Sequence, residues 1–158
     1  MNNKPVLLIG LGNPILGDDS VGIVVVRLLK QRILNRTGLD VKELSVGGIR
    51  LVEEMLGYET VFIVDSIASE GKSGQIREFS PEDFKESQYE SSPHTTNFAT
   101  ALELYKKLEP ERVPKLIRIF TIDVKPDLTF RDVLSSSVRM AAEELAEQLA
   151  REIEAFLT

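Results

Sequence analysis

Residues 7–22 read LLIGLGNPILGDDSVG. An apolar run breaks at Gly10-Leu11-Gly12-Asn13-Pro14, and two adjacent acids, Asp18 and Asp19, then stand at the mouth of a new apolar segment. Pro5 to Gly10 has the pattern of a strand covered on both faces, as strands of α/β sheets are. Beyond the acids, Val21, Val24, Val25, Leu28, Leu29 and Ile33 recur at three- and four-residue spacing, which makes one apolar stripe on a helix. Strand, loop and helix therefore open an α/β fold. The loop itself reads three ways: a dinucleotide turn, a helix cap, or half of a metal site.

Working outward, Asp40 to Val46 reads as a second strand, Gly47-Gly48 as a turn, and Ile49 to Leu56 as a short helix with Leu51, Met55 and Leu56 inward. Thr60 to Val64 (TVFIV) reads as a third strand that ends at Asp65. The segment IASEGKSGQ is too short and polar for a crossover helix. The next strand, Gln75 to Phe79, is therefore expected to run antiparallel to its predecessor. Ser80 to Pro93 is polar, carries two prolines and reads mostly as loop. Phe98, Leu102, Tyr105 and Leu108 mark another helix face, Leu116 to Val124 a fifth strand, and Val138 through Phe156 a long amphipathic closing helix. The expected product is a single domain over residues 1–158: a three-layer sandwich with a five-stranded, mostly parallel sheet, one antiparallel strand, and helices on both faces. Ligands should sit beyond the carboxyl ends of its parallel strands.

Composition narrows the chemistry. The 158 residues, 42% of them hydrophobic, suffice for one continuous core. A formal charge of −6 repels phosphate backbones and argues against nucleic acid as a partner. With no cysteine, thiol nucleophiles, thiolate metal sites and disulfides are excluded. The amino-terminal apolar run is interrupted by Asn13-Pro14 and followed by two aspartates, and no small-residue cleavage site is evident, so a cytoplasmic location is expected. No stretch approaches the roughly 20 apolar residues that span a bilayer, so no membrane role is expected.

The dinucleotide reading fails on spacing, because G-x-G-x-x-G would need a third glycine where Ile15 stands. A capping role for Asp18 or Asp19 is the plain alternative, since an acid at a helix amino terminus is favourable. Two further residues favour chemistry. Asp65 follows four apolar residues, Val61 to Val64, where a charge is costly unless paired or exposed. His94, the only histidine, stands between a loop proline and a helix. Two carboxylates and an imidazole form a ligand set suited to nickel, zinc or manganese with open positions left for substrate. No H-E-x-x-H pair and no G-x-S-x-G elbow supports a zincin or a serine triad.

Five blocks in this order and spacing resemble one family: GLGNPILGDDSVG at 10–22, VGGIRLVEEM at 46–55, FIVDSI at 62–67, SPH at 92–94 and LSSSV at 134–138. They are similar to the hydrogenase maturation endopeptidases, which trim the carboxyl terminus of the large subunit of nickel-iron hydrogenases. The resemblance implies that Asp19, Asp65 and His94 bind the metal and act through it, with Asp18 and Asn13 as supporting or capping residues. It also implies a cytoplasmic peptidase acting on a large-subunit precursor already loaded with nickel, so that the nickel comes with the substrate; zinc or cadmium would substitute in vitro. The family often has glutamate where this chain has Asp19, and HTTNFAT after SPH departs from a frequent glutamine and glycine-leucine pair. The alternatives are a peptidyl-tRNA hydrolase-like esterase, whose opening also reads GLGNP, and a metal- or peptide-binding maturation factor without catalysis.

Overall fold

A computed structural model describes residues 4–33, 36–83, 97–125 and 133–157. Five strands are formed: β1 (Lys4–Leu11), β2 (Leu39–Leu44), β3 (Tyr58–Ala68), β4 (Ile76–Phe79) and β5 (Leu116–Val124). Among the described residues four α-helices accompany them: α1 (Val21–Arg32), α2 (Gly48–Met55), α3 (Phe98–Leu108) and α4 (Ser136–Leu157). The strands line up in the order β2-β1-β3-β5-β4. The first four in this order are mutually parallel, and β4 pairs antiparallel with β5.

Strand alternation divides the core into two layers. Val6, Leu8, Phe62, Val64, Phe120 and Ile122 lie in one cluster with Val25 and Leu29 of α1 and Leu145, Leu149 and Ile153 of α4. The intervening residues Leu7, Ile9, Val61, Ile63 and Ile119 join Leu51 and Met55 of α2 and Phe98 and Leu102 of α3 on the other face. Central strands buried on both faces read as unbroken apolar runs for this reason. The α/β sandwich expected from the sequence is the one observed.

Three details differ from expectation. β3 does not stop at Asp65 but continues to Ala68, because Thr60 through Ala68 keep register with Leu116 through Val124. The backbone ladder ignores the change from apolar to polar side chains that marked the end of the run. β4 has the expected direction, but its hydrogen-bonding partner is β5 rather than its predecessor β3. Leu108 and Phe156, placed inward by periodicity, are 65% and 42% exposed, each in the last turn of its helix, although the Phe156 ring still meets Phe62 edge-on.

The glycines of the opening loop serve helix docking rather than phosphate binding. A Cβ at Gly22, at the start of α1, would overlap the carbonyl oxygens of Leu11 and Val64. One at Gly10 would lie 2.6 Å from the Gly22 carbonyl oxygen. α1 thus begins pressed against the carboxyl ends of β1 and β3, a contact that closes only when no side chain intervenes. Both obstructing groups at Gly22 are backbone and cannot rotate away. Gly22→Ala should therefore cost at least about 3 kcal/mol, the upper end of overpacking penalties, read as a lowered urea midpoint at unchanged m-value.

Candidate functional site

The same tight docking positions Asp19. Gly12 has φ +156, and a Cβ there would run into the Asp19 carbonyl oxygen, so the missing side chain lets the acid loop fold onto the end of β1. The loop is held by the Gly12 amide, which donates to the Leu44 carbonyl at 3.2 Å, and by the Ser45 hydroxyl, which donates to the Gly12 carbonyl. Gly17–Ser20 then forms a single 3-10 turn leading into α1. The Asp19 carboxylate accepts the Asn13 backbone amide at 3.1 Å through one oxygen and the Ser66 hydroxyl at 3.1 Å through the other. Asn13 turns its own side chain to the Ile15 amide, 3.2 Å away, which shapes the loop. The carboxylate is thus held towards the carboxyl end of β3 by Ser66, the residue that follows Asp65 in the chain.

Asp65 lies within β3 and is 1% exposed. Its Oδ1 accepts the backbone amide of Ser66 at 2.8 Å. A carboxylate keeps about four acceptor sites, so the two hydrogen bonds that Asp19 accepts leave it capacity to bind a cation. Across the sheet, Asp65 is in register with Thr121 of β5, and Thr121 with Arg77 of β4. Arg77 donates to both oxygens of the buried Asp123 at 3.0 to 3.3 Å and to the Gln75 side chain at 3.2 Å. Asp123 is 1% exposed, so this pair compensates a charge that would otherwise be expensive to bury.

Asp18 behaves differently from its neighbour. Neither the 3-10 turn nor α1 has a side-chain cap, which corrects the capping expectation for Asp18 and Asp19; Leu16 and Ser20 hold the cap positions. Asp18 instead accepts the Ser135 amide and hydroxyl, both at 2.8 Å, and ties the opening loop to the start of α4. This explains the LSSSV block, whose serine partner was not foreseen from sequence. The two residues are 117 positions apart, and only the fold brings them together. Asp18 also lines a cleft of about 520 Å3 with Glu70, Lys72, Ser73, Lys125 and Ser137. Asp18→Ala should cost about 2–3 kcal/mol, as expected for losing hydrogen bonds to a charged, largely buried group, and leave cation affinity within about threefold. Thermal melts and a cadmium titration of the same sample separate the two effects.

Of the three residues expected to bind metal, the structure brings Asp19 and Asp65 to one end of β3, linked through Ser66. His94 lies outside the described residues. Among the described residues no three histidine or acidic side chains gather closely enough to hold a metal ion. Ser66, Thr121, Arg77 and Asp123 were not singled out from sequence. The adjacent polar pair Asp65-Ser66 in β3 and the alternate polar residues Thr121 and Asp123 in β5 were the available signal.

The hydrogenase maturation protease sequence family matches residues 23–152 of the chain, which is most of its length. The chain belongs to that family. The match begins just after the opening loop, so Asp19 lies outside it. Among other members of the family, the hydrogenase 2 maturation protease of Escherichia coli strain K12 is 28% identical over 64 residues, 40% of this chain and 39% of that protein. A nickel-iron hydrogenase maturation protease, HybD of Thermococcus kodakarensis, superimposes with a TM-score of 0.70 at 29% identity, covering 92% of this chain and 99% of its own. The hydrogenase maturating endopeptidase HybD of Escherichia coli gives a TM-score of 0.71 at 24% identity over 96% of this chain and 93% of its own, and supports the shared fold.

Proposed function

We propose that this maturation protease removes the carboxyl-terminal extension of a nickel-iron hydrogenase large-subunit precursor after nickel has been inserted. The observation that carries the reading is the hydrogen bond from Ser66, the residue that follows Asp65, to the Asp19 carboxylate towards the carboxyl end of β3, in a chain of this family. Two carboxylates there, joined by the His94 imidazole, form an oxygen- and nitrogen-donor set suited to a borderline divalent ion. The nickel belongs to the substrate, and the protease reads it by completing its coordination.

On this reading Asp65, buried and fixed by the hydrogen bond it accepts from the Ser66 amide, supplies a carboxylate ligand that draws the loaded precursor into place. Asp19 is less buried and sits on the loop at the rim, where its carboxylate can accept a proton from the attacking water. The nickel contributes Lewis-acid polarisation of the scissile carbonyl. Holding the ion and the peptide together converts recognition of a metallated precursor into orientation of the bond to be cut. The net charge of −6 suits a protein partner rather than a nucleic acid. No described helix is long and apolar enough to cross a membrane.

Incubating the protein with nickel-loaded and nickel-free precursor tests the reading. Shortening of the loaded precursor alone is expected. No shortening of either form, or equal shortening of both, would contradict it.

A further inference from the structure

In β5, Thr121 Oγ1 is fully buried and has no hydrogen-bond partner. The residue is 2% exposed and occupies a central position in β5, directly in register with Asp65 on one side and Arg77 on the other. Valine would fill the same volume, keep the β-branched shape that suits a strand, and bury no hydroxyl. Stability alone therefore favours valine here, and the threonine calls for another account.

The neighbours narrow it. Arg77 is a donor only and already engages Asp123 and Gln75, so it offers the hydroxyl no acceptor. Asp65 is an acceptor, lies on the same face of the sheet, and is one strand away at a spacing of about 4.8 Å. In the structure the hydroxyl has no partner, so the bond to Asp65 calls for a different staggered rotamer of Thr121. We propose that Thr121 is a positioning residue that donates a hydrogen bond to the Asp65 carboxylate and fixes the orientation in which it meets a divalent cation. The Ser66 amide holds Oδ1 from along the strand, and Thr121 steadies the group from across it. The inference rests on the reading of Asp65 as a metal ligand given above.

Calorimetric titration of the full chain with cadmium, in the wild type and in T121V, T121S and D65N, tests it. T121V should weaken cadmium binding about 10–100-fold, the usual effect of removing a hydrogen-bond partner of a ligating group, while its thermal midpoint stays at or above that of the wild type. T121S, which keeps the hydroxyl, should restore affinity to within about threefold. A merely structural hydroxyl would move the midpoint and leave cation affinity alone. If T121V fails to fold, T121A carries the same expectation. Wild-type affinity in T121V together with loss of binding in D65N would overturn this inference and leave the ligand reading standing. Wild-type affinity in D65N would overturn both.

Discussion

Asp65→Asn will abolish precursor processing and weaken divalent-cation binding more than about 100-fold, while the protein still folds. The magnitude follows from a comparison: losing a partner of a ligand already costs about 10–100-fold, and this substitution removes the ligand's own charge. Retention of the fold follows from chemistry at constant shape. Asparagine keeps a carbonyl oxygen where Asp65 Oδ1 accepts the Ser66 amide, and it fits the same buried volume in β3. A charge in a central strand is costly to bury, so neutralising it need not destabilise the sheet. A structural role for Asp65 makes the opposite forecast: a lowered thermal midpoint with processing intact. Processing assays and melts on the same preparation distinguish the two.

His94→Ala should be equally severe. His94 is the only histidine and the chain has no cysteine, so it supplies the only side chain that readily gives a cation a neutral nitrogen donor. Without it the ligand set becomes oxygen only, which suits magnesium or calcium better than nickel. The expected result is loss of processing, with cadmium affinity falling more than about 100-fold by the same comparison as for Asp65. Partial recovery of processing on adding imidazole would show that the missing nitrogen is the cause. Because the surrounding Ser80–Pro93 stretch is polar, the loss of core burial should be small and the melting curve close to that of the wild type. Full activity in the alanine variant would contradict the assignment of His94.

The fold was legible because its signals are local. The opening strand, loop and helix, the five strands and the closing helix all follow from runs and stripes of apolar residues, and β5 spans Leu116–Val124 as read. Boundaries set by pairing were less visible. Nothing in FIVDSIA announces that the strand continues through Asp65, since only the ladder to β5 carries it to Ala68. The partner of β4 is likewise a matter of sheet order and not of turn length.

The candidate site divides in the same way. Asp19 and Asp65 stood out as acids beside apolar runs, and their contacts with Ser66 in β3 fit the strand-loop-helix reading. Asp18 next door seemed equivalent, yet its carboxylate turns to Ser135, just before α4, a pairing that no nearby residue foretells. The glycines illustrate a second kind of ambiguity. The pattern that resembled a nucleotide loop is instead the condition for close approach between α1 and the sheet, because Gly12 and Gly22 each face backbone oxygen. Spacing excluded the nucleotide, but only the packing shows what the glycines do.

Asp19, Asp65 and His94 are proposed to close on one cation at the carboxyl edge of the sheet. Anomalous diffraction from a crystal soaked in cadmium or nickel tests it most directly. The account predicts a single strong peak at about 2.0–2.4 Å from a carboxylate oxygen of Asp19, a carboxylate oxygen of Asp65 and an imidazole nitrogen of His94, as for divalent ions held by such donors. A peak bound elsewhere, or three side chains too far apart to share an ion, would contradict it.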